Sequence, residues 1–230
     1  MNTNIKLRFA SYNIYHGGLA GYDMSKIAKN ITDNNIDIIG IQEVDQKTSR
    51  NGGIDTLEEL SRITGYKHYS FFKTMSFRGG EYGIAVLSRY PIVESELIPL
   101  ESGKSEPRAV GRTKILVDER EISFFVTHLT FDSENIRRGQ LSQLSDLLQA
   151  NEGFVLSGDF NTSDLGALDE CGGVERINKK EALTVTFPDG LLSIDHIVYS
   201  KNFWSFGNIN TVTDSYSDHY MIWADAELTN

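Results

Sequence analysis

The chain holds one cysteine, Cys171, in 230 residues. That excludes an internal disulfide and a zinc site built from spaced cysteines, and it fits a reducing compartment. Only four prolines are present, and they are scattered. With no Gly/Ser-rich linker or low-complexity tract, nothing marks a domain boundary, so one domain over residues 1–230 is expected. Long apolar runs are missing as well. The start, MNTNIKLRFASYN, alternates like a strand and lacks the apolar segment of a signal peptide or a membrane span. A cytoplasmic protein is the expectation, and nothing speaks to its oligomeric state. Basic residues are outnumbered, 22 Lys and Arg against 32 Asp and Glu, which leaves a net charge of -10. Such a field repels polyanions at long range, so a phosphate-bearing substrate needs a local cation or metal. Nucleic acid stays open as a partner but is not favoured. No insertion interleaves Lys and Arg with aromatics as a duplex-binding nuclease would favour.

What is present is ordinary for a globular protein: 40% hydrophobic and 23% charged residues, enough for a sizeable core. Short β-rich runs recur: LRFASYNIY, DIIGIQE, YGIAVLS, VGRTKILVD, ISFFVTHL, GFVLSGDF, SIDHIVYS and HYMIWADAEL. Helices are fewer. In MSKIAKNITDN the residues Met24, Ile27, Ala28 and Ile31 have the spacing of one buried helical face. A second helix is expected from Asp55, where Glu58 completes a near capping box and Leu57, Leu60 and Ile63 form the stripe. SENIRRGQLSQLSDLLQA is the third. This order suggests two sheets packed face to face with helices outside. Both halves run strand, polar tip, helix, strand, with residue identity too weak for a repeat.

Polar residues able to do chemistry stand at the ends of the apolar runs: Asn13, Glu43, His128, Asp159, Asn161, Asp195, Asp218 and His219. Strand ends are where sites are built. In GDFN, Asp159 and Asn161 are two apart and point to one side of an extended backbone, with Phe160 turned to the core. Taken alone, the tetrapeptide is equally a turn. Glu43 follows the buried run DIIGIQ, where a carboxylate is costly unless paired or bound to metal, or the strand there simply emerges into solvent. His128 lies inside ISFFVTHL, where a lone histidine is usually a satisfied core residue. Two Asp-His pairs, Asp195-His196 and Asp218-His219, each open an apolar run. Adjacent side chains on a strand face opposite ways, so an Asp seldom serves the next His. If both pairs reach one pocket, the arrangement is crossed, the carboxylate of one pair orienting the imidazole of the other.

These residues carry a resemblance. SYNIYHG, IQEVD, EYGIAVLSRYPI, VTHL, GDFNT, SIDHIVYS and SDHY follow the order of motifs in the endonuclease/exonuclease/phosphatase superfamily, the metal-dependent phosphoesterases that include deoxyribonuclease I. They span residues 11 to 220. The resemblance implies a deoxyribonuclease-I-like α/β fold, a four-layer sandwich of two mixed sheets flanked by helices with the site at one edge. It implies Glu43 as principal metal ligand, helped by Asn13, with Asp218 completing the cation site for Mg²⁺ or Mn²⁺. His219 resembles the base or phosphate-polarising histidine and Asp195 the carboxylate orienting it. Asp159 would position or deprotonate the attacking water, and Asn161 would hold a phosphate oxygen. His128 resembles the second histidine, stabilising the phosphorane-like charge or protonating the leaving oxygen, with Glu81 as its partner. Arg108 sits where the family often has a phosphate-contacting arginine, and His196 would be structural. Whether Asp159 or the Asp195-His219 pair removes the water's proton is left open.

Substrate choice in this superfamily lives in loops between motifs, and here they are short. Lys73 and Arg78, or Arg137 and Arg138, would grip a phosphate or be solvated surface charges. A phosphate ester is therefore the expected partner. The leading expectation is a Mg²⁺-dependent phosphodiesterase or phosphatase acting on a small phosphorylated metabolite, a lipid headgroup or a short nucleic acid. The alternatives are a true nuclease and a catalytically silent binding module.

Overall fold

A computed structural model describes residues 5–179 and 183–229. Among the described residues twelve strands occur in chain order: β1 (Lys6–Asn13), β2 (Ile38–Gln46), β3 (His68–Phe77), β4 (Gly80–Ser88), β5 (Ile92–Leu100), β6 (Arg108–Val117), β7 (Arg120–His128), β8 (Val155–Asp159), β9 (Val174–Arg176), β10 (Asp195–Ser200), β11 (Trp204–Val212) and β12 (Met221–Leu228). Three α-helices join them: α1 (Met24–Asp33), α2 (Thr56–Thr64) and α3 (Glu134–Gln149). None is long and apolar enough to cross a membrane.

Each helix starts where its sequence provides a cap. Asp23 accepts from the Ser25 amide at α1, Asp55 from the Glu58 amide at α2, and Ser133 from the Ile136 amide at α3. Gly65 ends α2 with φ 77, the left-handed conformation that glycine adopts without penalty.

The strands form two mixed sheets of six, ordered β11-β12-β1-β2-β4-β3 and β5-β6-β7-β8-β10-β9. Strand β1 runs parallel to β2, and β7 parallel to β8; the neighbours outside these pairs are antiparallel. Each parallel pair needs a crossover, and α1 and α3 supply them, so both sheets are built on one βαβ unit. The strand–helix–strand echo in the sequence is thus an architectural one. Lys6 at the start of β1 is paired with Glu227 near the end of β12.

Central strands bury both faces. Phe9, Ile38, Val86 and Ile222 meet Phe124, Val126, Val155 and Ile197 in the core between the sheets. The alternate residues Ile39 and Ile41 pack under Ile27, Ile31 and Leu57, while Phe125 and Leu156 pack under Leu141, Leu144 and Leu148. This double burial is why the interior strands read as continuous apolar runs, and the result is the expected four-layer sandwich. The sheets approach closely at Gly40, where a Cβ would lie 2.1 Å from Ser157 Oγ and 2.8 Å from Val126 Cγ2. Both parallel pairs end at the same rim, and that rim carries the polar residues.

Candidate active site

Four polar side chains come from the carboxyl ends of the parallel strands, the usual place for ligand sites in α/β sheets. Asn13 ends β1, Glu43 lies near the end of β2, His128 ends β7 and Asp159 ends β8. Asp195 opens β10, antiparallel to β8, and His219 stands just before β12, antiparallel to β1. Antiparallel pairing thus brings their chain-early ends to the same rim. Together with Asn161 and Asp218, most of these residues line one cleft of about 540 Å³. A larger groove of about 650 Å³ runs beside Arg8, Asp37 and Arg89, but its charges pair with one another.

A β-bulge aims Glu43. Between Ile41 and Val44, β2 has one residue more than the opposing stretch of β4 from Ala85 to Gly83, and Glu43 takes φ 58. A left-handed glutamate inside a strand is strained, and such strain collects at functional sites. A matching bulge lies in β3, between Lys73 and Met75, opposite the same part of β4. Gly83 sits between them. A Cβ there would lie 2.1 Å from the Phe72 carbonyl oxygen, so only glycine lets the bulged backbone approach.

The Asn13 side chain bridges two acids. Its Nδ2 donates to Glu43 Oε1 and to Asp159 Oδ2, each at 3.1 Å, while its Oδ1 accepts from the Tyr15 amide. That last bond fixes which way the amide faces. Asn13 therefore offers the carboxylates its donor, where the sequence pointed to an oxygen ligand for a cation. Glu43 and Asp218 form no ion pair among the described residues. Burial pushes the Glu43 carboxyl above its ordinary range, and the Asp218 charge adds to the effect.

The crossed pairing holds. His219 Nδ1 lies 2.8 Å from Asp195 Oδ2, and its Nε2 lies 3.6 Å from Asp159 Oδ2. Burial alone would lower the imidazole, but Asp195 and Asp159, with Asp218, outweigh it and hold the ring up at about 10. Asp159 is raised as well, pushed up to about 7 by burial and then by the Asp195 carboxylate; the same direction favours charge on the imidazole and neutrality on the acid. Asp159, Asp195 and His219 offer ligand atoms within 4.8 Å of one another, so this buried group could hold a metal. His196 is separate: its Nε2 bonds the Thr162 carbonyl at 3.0 Å and its ring packs on Phe160, a structural role as expected.

The partner of His128 differs from the expectation. Glu81 pairs with Lys73 Nζ at 2.9 Å, across the β3–β4 ladder, and does not contact His128. The bulge in β3 brings the lysine there. Arg108 takes the expected place of Glu81: its Nη1 lies 3.0 Å from His128 Nδ1 and 2.8 Å from Glu106 Oε1, and the residue is only 5% exposed. A guanidinium can only donate, so Nδ1 must be the acceptor and the proton sits on Nε2. Burial, then Arg108, then His219 hold the ring well below its ordinary pKa, so it is neutral. Its Nε2 lies 3.4 Å from Asp159 Oδ2. Its Nη1 is thus engaged, while Arg108 also lines the cleft.

Asn161 is not extended. Its φ is 53, its amide donates to Asp159 Oδ1 at 2.9 Å, and its Nδ2 bonds the Leu129 carbonyl. It reaches the cleft through a turn, and Phe160 enters the core as expected. Of the possible phosphate grips, Lys73 is paired with Glu81, Arg138 with Glu134, and Arg137 bonds the Thr130 carbonyl. Arg78 stacks on Phe77. Residues that the sequence reading missed, His16, Arg50, Tyr82 and Phe187, also line the cleft. His16 lies within a motif, but DQKTSRNGG around Arg50 reads only as a polar loop.

The profile of the Endonuclease/Exonuclease/phosphatase family matches residues 10–219. Solved structures of similar fold include an endonuclease/exonuclease/phosphatase from Beutenbergia cavernae. It is 20% identical with a TM-score of 0.82, over 97% of this chain and 72% of the other. The catalytic domain of human Nocturnin with bound sulfate is 22% identical with a TM-score of 0.77, over 97% and 94% of the two chains. A mannosyl-6-phosphatase from Bacteroides thetaiotaomicron is 20% identical with a TM-score of 0.72, over 96% and 99%. With its profile match running from β1 to His219, the chain belongs to the endonuclease/exonuclease/phosphatase family, and is a phosphoester-hydrolysing enzyme.

Proposed function

We propose that the protein is a Mg²⁺-dependent phosphoesterase, with Mn²⁺ as an alternative ion, acting by in-line attack of water on a small phosphate ester. One observation carries the reading: Glu43, Asp159 and Asp218 meet His128 and His219 from both sheets in one cleft, with opposite protonation demands on these two imidazoles. The donor set fits a hard divalent ion. Glu43 accepts one hydrogen bond from Asn13 and Asp218 one from Ser217, and neither is matched by a cation among the described residues, so a bound ion would relieve their mutual charge. Asp195 is a poorer ligand, because its Oδ2 already accepts from His219. Bound there, the ion would supply charge neutralisation for the phosphoryl group and lower the cost of the incoming nucleophile.

The protein's own groups divide the remaining work. Asp159, raised toward neutrality, takes the water's proton. His128 donates its Nε2–H to a phosphoryl oxygen; a neutral ring held by Arg108 is a donor but a poor acid, which favours charge stabilisation over leaving-group protonation. His219, already protonated, supplies the leaving oxygen, and Asp159 Oδ2 at 3.6 Å can return the proton to it. Asn161 contributes an amide edge beside the phosphate. All of this occurs in one domain, and the unpaired, buried Cys171 fits a cytoplasmic enzyme.

Four acids, Glu43, Glu106, Asp159 and Asp218, outnumber Arg50 and Arg108 in the cleft lining, which favours a small ester over duplex DNA. The similar mannosyl-6-phosphatase supports a small-ester reading, while a D. rerio TDP2 complexed with a single-strand DNA product keeps short nucleic acid in view. The test is a panel of supercoiled plasmid, an abasic duplex, bis-p-nitrophenyl phosphate, phosphoinositides and sugar phosphates, with EDTA and then Mg²⁺ or Mn²⁺. Activity on the small esters, lost on chelation and restored by the ion, is expected. Full activity after exhaustive chelation would overturn the metal assignment, and plasmid nicking at low enzyme would favour the nuclease.

A further inference from the structure

We propose that Arg50 and His16 form a second anion subsite in the cleft, holding a phosphate that the substrate carries beyond the one being cleaved. The proposal rests on the phosphoesterase reading above.

The guanidinium of Arg50 is fixed on three sides. Asp45, fully buried, accepts from Nε at 2.9 Å and from Nη2 at 2.7 Å, and is itself held by Thr48 Oγ1 at 2.7 Å. One face of the group lies over the Phe77 ring at 4.7 Å, with Tyr82 at 5.8 Å. Nη1 is the edge left over, and Arg50 lines the cleft. Planar donor edges of this kind match phosphate oxygens.

His16 stands beside it. The residue is 9% exposed and lines the same cleft, in a left-handed conformation (φ 45) that follows another at Tyr15 (φ 46). Consecutive strained residues persist only where the surroundings enforce them, and such sites are often functional. Nδ1 is sealed without a hydrogen-bond partner, and Gly18 packs against that side of the ring. Nε2 is the ring nitrogen left for a ligand. Burial and the nearby Arg50 charge favour the neutral ring, which can donate to an anion.

Charge decides what the pair is for. Glu43, Asp159, Asp218 and Glu106 make the cleft lining acidic, and Arg108 spends its Nη1 on Glu106 and His128. A substrate with a second phosphate brings added negative charge into this field, and Arg50 is the cation placed to receive it. A singly phosphorylated ester has no such need. The second phosphate has two sources, a small bisphosphorylated metabolite or the neighbouring phosphate of a single strand.

Two matched pairs separate them. One is thymidine 5′-(p-nitrophenyl phosphate) with and without a 3′-phosphate; the other is a hexose 6-phosphate and its 1,6-bisphosphate. The wild type should prefer the doubly phosphorylated member of at least one pair by roughly ten-fold or more in kcat/KM, the scale of a charge-assisted hydrogen bond. Preference in the first pair assigns the nucleic-acid source, and in the second the metabolite. Arg50→Ala and His16→Ala should collapse the preference through KM, and Arg50→Lys should keep part of it. Loss of Arg50 leaves Asp45 buried and unpaired, so Arg50→Ala risks misfolding. Inhibition by inorganic pyrophosphate against orthophosphate, in excess Mg²⁺, then compares wild type with Arg50→Lys, and the wild type should show the larger gap. No preference in either wild-type pair, or Arg50 variants that lower both members equally, would overturn the subsite. Failure of the wild type on every ester would instead overturn the phosphoesterase reading.

Discussion

Replacing Arg108 by Met tests the neutral-imidazole argument directly. The guanidinium is 5% exposed and its Nη1 serves both Glu106 and His128. Its loss leaves His128 Nδ1 and the sealed Oε1 of the partly exposed Glu106 without a donor. Leaving such groups unsatisfied costs about 1–3 kcal/mol. At roughly 2–4 °C per kcal/mol for a chain of this size, the melting temperature should fall by about 2–12 °C. Turnover should fall further than folding explains, by roughly 10²–10³, the effect of losing one positioned donor to the phosphoryl charge. The assay is thermal unfolding by circular dichroism, steady-state kinetics on folded variant, and ¹⁵N NMR of the His128 ring. In the wild type at pH 7, Nδ1 should report as the unprotonated nitrogen and Nε2 as protonated. In the variant the tautomers should mix. A wild-type ring protonated on Nδ1, alone or with Nε2, would refute the reasoning, because Arg108 could not then donate to it.

Further tests follow from other parts of the structure. Glu81→Gln should change stability by no more than about 0.5 kcal/mol and leave kcat near wild type, since Glu81 pairs with Lys73 at the surface; a hundred-fold loss would return it to the site. His196 is held neutral, its pKa lowered to about 4 first by burial, so the unfolded chain takes up a proton below pH 6.5 that the folded one refuses. Stability from this group is therefore lost as pH falls from 6.5 toward 4, about 2 kcal/mol by pH 5. Urea midpoints should show His196→Gln losing that much less between pH 7 and pH 5 than the wild type; parallel losses would count against it. Gly83→Ala puts a Cβ 2.1 Å from a backbone carbonyl. It should cost about 1–3 kcal/mol and weaken Mg²⁺ binding by displacing Glu43, as calorimetry would show; unchanged affinity would detach the glycine from the metal site.

The eight strands legible as apolar runs are the eight interior strands of the two sheets. The four that escaped, β3, β5, β9 and β11, are the four edges. An edge strand buries little: in β5, IVESELIPL, five consecutive residues are exposed. Its place comes from pairing with β6, which leaves no periodic signal. The same division runs through the site. Asp159, His219 and Glu43 were visible because polar groups at the ends of apolar runs are out of place there. Arg108 as the partner of His128, and Lys73 as that of Glu81, depend on register and on a bulge, which no single strand encodes. Arg50 was invisible for another reason. Its loop looks like solvent-facing punctuation, and only the fold turns that arginine toward the chemistry.

The pairing of Lys6 with Glu227 has a practical consequence. Strand β1 runs from Lys6 toward Asn13, and β12 runs from beside His219 toward Leu228, so Lys6 and Leu228 both lie at the side of the sandwich opposite the mouth of the cleft. An affinity handle, a fluorophore or a surface tether at either one would stand a full strand length from the reacting phosphate. Immobilised enzyme should then hydrolyse substrate as freely as enzyme in solution.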